Sequence, residues 1–127
     1  MEKIKYQIEF DFKSIPPPLL WSYIATPSGL REWFADDVSL SGKRFTFRWN
    51  DGTEQIASIV SQRVESTMRL RWTGDNLRHY FEFKILTGEV TDSTTLLLTD
   101  FCAPEESDDA RELWLSQIDN LRIILGC

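Results

Sequence analysis

Ile4, Tyr6, Ile8, Phe10 and Phe12 alternate with Lys3, Lys5, Gln7, Glu9, Asp11 and Lys13, a period of two that predicts a long strand with one wet face. Ile15-Pro16-Pro17-Pro18 ends it, because proline opens a helix but does not sit inside one. Leu19, Leu20, Tyr23 and Ile24 then recur at helical spacing, with Trp21 beside them. Thr26-Pro27 closes this short helix and caps the next, with Thr26 at the N-cap and Pro27 at the first helical position. Leu30, Trp33 and Phe34 form the apolar side of the second helix.

From Asp37 the pattern returns to strands separated by turns. Val38 and Leu40 lead to Ser41-Gly42-Lys43, and Phe45, Phe47 and Trp49 alternate with Thr46 and Arg48 before Asn50-Asp51-Gly52 closes a hairpin. Ile56 to Val64 is the next strand. Met68, Leu70 and Trp72 alternate with Arg69 and Arg71, and Gly74-Asp75-Asn76 is a turn. His79, Phe81, Phe83 and Ile85 alternate with Tyr80, Glu82 and Lys84, after which Thr87-Gly88 and Asp92-Ser93 bracket a loop. Thr94 to Phe101 is the last strand. A long helix follows, with Ser107 as its N-cap and Asp108, Asp109 and Glu112 where the helix dipole favours acids. Its stripe, Ala110, Trp114, Ile118, Leu121 and Leu125, runs to Gly126.

One-sided strands need a cover, and this stripe is the long apolar face available to them. The expected architecture is α+β: a curved antiparallel sheet of about six to seven strands wrapped around a long C-terminal helix, with two short helices after the first strand. A chain of 127 residues with no internal repeat, linker or low-complexity run reads as a single domain over 1–127.

Composition narrows the function. Hydrophobic residues at 42% and charged residues at 27% exclude collagen-like, coiled-coil and disordered classes. Five Trp, eight Phe and three Tyr make 13% of the chain aromatic, which concentrates apolar area in few side chains. A net charge of −6 repels a phosphate backbone, and Arg63, Arg69, Arg71 and Arg78 are interleaved with acids or turned outward by strand alternation. No nucleic-acid partner is therefore expected. The first residues alternate instead of running apolar, so no signal peptide is expected. The uncharged stretch from Ser14 to Leu30 carries Pro16, Pro17, Pro18 and Pro27 and falls short of a spanning helix. No membrane insertion and a cytoplasmic location follow as expectations. Cys102 and Cys127 have no C-x-x-C spacing, and no disulfide framework is indicated.

Several segments resemble a known family. Trp21-Ser22-Tyr23-Ile24-Ala25-Thr26-Pro27 through Leu30-Arg31-Glu32-Trp33-Phe34 resembles the helix pair of Hsp90-activator homologues, the AHSA1-like branch of the START/birch-pollen-allergen-like (Bet v 1-like, SRPBCC) helix-grip superfamily. Ser41-Gly42-Lys43-Arg44-Phe45 stands where those proteins carry Gly-Gly before a strand, and Arg69-Leu70-Arg71-Trp72 is similar to another of their strands. Leu113-Trp114 to Leu125-Gly126 is similar to their closing helix, so the resemblance spans nearly the whole chain. Asp36 and Asp37 depart from it, standing where many relatives have an apolar residue or proline, as does Ser41 for the first glycine. The resemblance implies the helix-grip fold, with either a hydrophobic cavity or a surface that docks another protein.

Motifs for hydrolases, nucleotides and zinc proteases are absent, and His79 is the single histidine. A metal would have to combine it with carboxylates or Cys102, so no metal, cofactor or catalytic residue is expected. Strand alternation puts His79 on the apolar face near one end, where with Asp100 nearby it serves as a general base or orients a ligand carbonyl, or else is satisfied by backbone or water. Asp100 interrupts Leu96-Leu97-Leu98-Thr99 and reads as the strand's exit into solvent. Phe45 joins the aromatics that converge between sheet and helix, and two readings follow: a small ligand pocket, or a core packed solid. The acidic run Glu105, Glu106, Asp108, Asp109 and Glu112 is a solvated helix start, or a docking surface for a basic partner. The expected function is non-catalytic binding of a small hydrophobic or aromatic ligand by Trp33, Phe34, Phe47, Trp49, Trp72, His79, Phe81, Phe83, Trp114, Ile118 and Leu121. The alternatives are a protein-interaction module resembling the Hsp90-activator homologues and a cyclase- or dehydratase-like enzyme using His79.

Overall fold

Alternation becomes strand throughout the computed structural model, which describes residues 2–88 and 91–127. Met1 and the middle of the loop expected between Gly88 and Asp92 lie outside the described residues. The elements are β1 (Ile4–Asp11), α1 (Pro17–Ile24), α2 (Pro27–Trp33), β2 (Asp37–Ser41), β3 (Arg44–Arg48), β4 (Glu54–Arg63), β5 (Thr67–Trp72), β6 (Phe81–Thr87), β7 (Thr94–Cys102) and α3 (Ser107–Leu125). The strands make one seven-stranded antiparallel sheet in the order β1-β7-β6-β5-β4-β3-β2. Each of β2 to β7 pairs with its sequence neighbour, and β1 joins by pairing with β7. Thr26 caps α2 as its sequence predicts: its Oγ1 accepts from Gly29 N at 3.0 Å and donates to Ser22 O at 2.6 Å. Ser107 is instead the first residue of α3. A 3-10 turn over Pro104–Glu106 feeds directly into the helix, and Glu106 takes the N-cap position without a side-chain cap.

The register puts Tyr6, Phe10, Leu96, Leu98, Phe81, Phe83, Met68, Leu70, Phe45 and Phe47 on one face, all buried. Trp114, Ile118 and Leu121 of α3 pack onto that face as the helical stripe requires. A bulge between Ile59 and Ser61 bends β4, the device by which a twisted sheet curves around a helix. The α1–α2 corner closes one flank, and its tightness depends on Gly29. A Cβ there would stand 1.9 Å from Ser22 O and 2.5 Å from Tyr23 Cα, both backbone atoms of the α1 end.

Pairing between β5 and β6 stops at Leu70–Phe81, so Arg71 and Trp72 run past the ladder and the chain leaves the sheet over residues 73–80. Arg71 holds this loop, donating from Nη2 to Leu77 O at 2.6 Å and from Nε to His79 O at 3.0 Å. His79 is consequently a loop residue and not the first residue of β6; the alternation that includes it is continued by the turn without the strand.

Candidate functional site

Phe34, the C-cap of α2, enters the space between sheet and helix and is 5% exposed. Its ring meets Phe47 edge-on at 4.9 Å and stacks toward Trp114 at 5.9 Å, Phe81 at 6.2 Å and Trp72 at 6.4 Å between centroids. Phe45, Phe47, Phe81 and Phe83 behind it have essentially no exposed surface. The deep interior is therefore filled by aromatic rings packed against one another. A cleft of about 330 Å³ remains in front of the plug, at the β1–β7 end of the sheet under the first turns of α3. Its walls are Phe34, Trp49, Trp72 and Trp114, its floor Tyr6, Asp100 and Cys102, and its rim Lys3, Gln55, Glu106 and Gln117.

Each wall has a local cause. Trp72 stands half-buried where β5 outruns β6, 4.9 Å from the ring of Phe81. Trp49 follows β3 into the hairpin turn and is held there by donating from Nε1 to Phe34 O at 3.1 Å. Asp36, which departs from the family pattern, supports the same turn: its carboxylate accepts from Asn50 N at 2.7 Å. Trp114 is placed by the α3 stripe.

Asp100 lies opposite Tyr6 on the inner face, two residues beyond Leu98, and not at an exit into solvent. Its Oδ2 accepts from Trp114 Nε1 at 2.9 Å and Tyr6 Oη at 3.2 Å, and its Oδ1 from Phe101 N at 2.7 Å. Burial raises the Asp100 pKa, and the three hydrogen bonds to the charged form offset only part of that cost. Burial and the neighbouring Asp100 carboxylate push the Tyr6 hydroxyl well above the ordinary tyrosine range. The Cys102 thiol is raised for the same two reasons, so it is a poor nucleophile.

His79 lies outside the cleft lining. Its Nδ1 is 3.0 Å from Asp75 Oδ1, and its ring packs on Phe101 at 5.1 Å. Burial opposes charge on Asp75, but hydrogen bonds from His79 and Asn76 outweigh it and lower the Asp75 pKa. His79 and Asp100 therefore do not pair: His79 meets Asp75, and Asp100 is held by Tyr6, Trp114 and the Phe101 amide. Of the residues expected at a ligand site, Phe34, Trp49, Trp72 and Trp114 meet at the cleft. Phe47, Phe81, Phe83, Ile118 and Leu121 are buried behind the lining. Trp33 donates from Nε1 to Tyr23 O at 2.8 Å and faces a separate groove of about 510 Å³ between α2 and α3.

The sequence offers Asp100 only as a partner for His79 or as a strand exit and offers Tyr6 only as a strand residue, although Leu96-x-Leu98-x-Asp100 already puts the acid on the core face. Of the basic residues weighed above, Arg69 is paired with Glu82 at 2.7 Å and Arg71 is engaged by the loop carbonyls. Among the described residues no group of His, Cys, Asp and Glu is arranged to hold a metal ion, and no helix is long and apolar enough to cross a membrane. Cys102 and Cys127 are free thiols.

Comparison with known proteins agrees with this architecture. A family model for the START-like superfamily domain matches residues 1–127. A Bacteroides fragilis protein solved by solution NMR is 39% identical, with a TM-score of 0.71 over 98% of this chain and 93% of its own. The Aha1 dimer from Colwellia psychrerythraea is 18% identical, with a TM-score of 0.73 over 96% of this chain and 94% of its own. An AHSA1-like protein from Aeromonas hydrophila is 13% identical, with a TM-score of 0.75 over 97% and 92%. The last two likenesses are of fold. No functionally curated protein matches the sequence. The strand order, the helix pair, the gripped C-terminal helix and the family match over residues 1–127 together place this chain in the START-like superfamily.

Proposed function

We propose that this START-like chain binds a small molecule with an apolar, flat body in the cleft between the β1–β7 end of the sheet and α3, without transforming it. The observation that carries the reading is the pairing of walls and floor. Trp49, Trp72 and Trp114 converge on about 330 Å³ of open space, and hydrogen-bonded Asp100 lies at its base. Binding sites for small molecules commonly combine such an apolar lining with a few placed polar groups, at volumes of about 300–1,000 Å³. The filled interior limits the ligand to a few rings at most and argues against a long lipid chain. Trp72 is half-buried, so Trp72→Ala removes wall area without emptying the core.

Native mass spectrometry of the protein exposed to a hydrophobic metabolite extract tests the reading. A mass excess that disappears on denaturation, and is lost in a folded Trp72→Ala variant, is the expected result. A clean apo mass in every extract would reject it.

A second reading, a protein-docking module, has its own observation. Ile123 and Ile124 are 76% and 41% exposed beside the α2–α3 groove. Retention of a partner that is lost on Ile123→Asp, with the Trp72→Ala variant unaffected, would favour it over the cleft.

A further inference from the structure

Asp100 has donors but no ion-pair partner. Among the described residues no Lys, Arg or His nitrogen lies within ion-pair distance of its carboxylate. Lys3, on the rim, acts on Asp100 only at longer range while its Nζ reaches Asp75 at 3.4 Å, and the Arg111 guanidinium lies over the Tyr6 ring, 5.1 Å from its centroid. Glu106 adds a second carboxylate at the rim, and the whole chain carries −6.

The donors also decide which ligand polarity fits. A carboxylate offers about four acceptor positions, and Tyr6, Trp114 and Phe101 N occupy three of them. The arrangement holds Asp100 as an acceptor and leaves one position for an incoming N–H. A ligand carboxylate would instead meet Asp100 on the floor and Glu106 at the rim, with Lys3 alone among the lining residues to offset them. A ligand carbonyl would need a proton on an oxygen at which protein donors already point. The walls favour the same choice, because indole faces attract cations through their negative π-surface.

We propose that the cleft selects an organic cation, a small aryl-alkyl ammonium whose nitrogen hydrogen-bonds Asp100 while its apolar body lies against Trp72 and Trp114. The proposal rests on the cleft being a binding site and goes further by fixing the charge of what enters it. The charge-assisted hydrogen bond replaces water around a carboxylate already partly stripped of it, which makes the contact worth more than a surface ion pair.

The test is calorimetric titration of the full chain at pH 8 with three probes of nearly equal shape: phenethylammonium, 2-phenylethanol and 3-phenylpropionate. The ammonium should bind about tenfold or more tighter than the alcohol, with the carboxylate weakest. Asp100→Asn, shown folded by its amide spectrum, should bring ammonium and alcohol to similar affinity. The wild-type comparison stands by itself if that variant does not fold. An alcohol that binds as well as the ammonium, or a carboxylate that binds best, would overturn the cation assignment while leaving the cleft as a site. No binding by any of the three would overturn both.

Discussion

Phe34→Ala is the perturbation that most directly separates a plugged core from a hollow one. The side chain removed is 5% exposed and lies within 6.5 Å, centroid to centroid, of Trp33, Phe47, Trp49, Trp72, Phe81 and Trp114. Returning a buried phenylalanine to water costs about 2–3 kcal/mol, and the void left behind brings Phe→Ala substitutions to roughly 3–5 kcal/mol. Phe34 also lines both the cleft and the α2–α3 groove, so water can enter the vacated space and part of the cavity penalty is relieved. The lower end, about 3 kcal/mol, is therefore the expected loss. Urea unfolding followed by tryptophan fluorescence measures it. With m of about 1–3 kcal/mol/M, the midpoint should fall by roughly 1–3 M at unchanged m. A loss under about 1 kcal/mol would mean that the aromatic cluster does not depend on the plug, and the account of a filled interior would fail.

Gly29→Ala should destabilise by about 2 kcal/mol or more, because the added methyl meets fixed backbone of Ser22 and Tyr23 and not a side chain that can yield; a thermal midpoint equal to wild type would refute the close approach of α1 and α2. Thr26→Ala should cost about 1 kcal/mol through loss of the α2 cap, read from the same melts, whereas Thr26→Ser should restore most of it. Asp100 supplies a pH test with a definite sign. Its folded pKa is raised, so between its ordinary value of 3.8 and that higher value the folded state holds more proton than the unfolded one. Wild-type stability relative to Asp100→Asn should be greatest below pH 3.8, decline as pH rises through the window, and level off above it. A difference that grows with pH would contradict the burial cost assigned to this carboxylate.

Most of the fold was legible because its signals are local and repeated. Five alternating apolar positions from Ile4 to Phe12 can make a one-faced strand and little else, and Thr26-Pro27 fixes a helix start within one residue. The α3 stripe likewise needs only its own spacing, although its start moved because Pro104 seeds a 3-10 turn ahead of Ser107. His79 shows where local reasoning ends. Alternation through His79, Tyr80 and Phe81 looks continuous, yet the ladder stops at Phe81 because Arg71 captures the carbonyls of residues 77 and 79. That contact is set by tertiary position and leaves no periodic trace. The aromatic list had the same weakness: composition showed that bulky rings would meet, but not that Phe34 would come in from α2 to divide filled core from open cleft.

The two readings left open by the sequence, solid core and small pocket, are resolved by position along the helix. Toward Ile118 and Leu121 the rings and aliphatics close completely, and toward Trp114 they stop. At that boundary the sequence breaks its own rule. Leu96 and Leu98 are followed on the same face by Asp100, where a third leucine would have extended the core but left the Tyr6 and Trp114 donors without their acceptor. Tyr6 and Trp114 are turned toward the acid, which accepts the polar hydrogen of each. Conflicts between local preference and global fold concentrate where a protein does something other than fold. This one lies on the floor of the tryptophan-walled cleft, where the proposed ligand would meet Asp100.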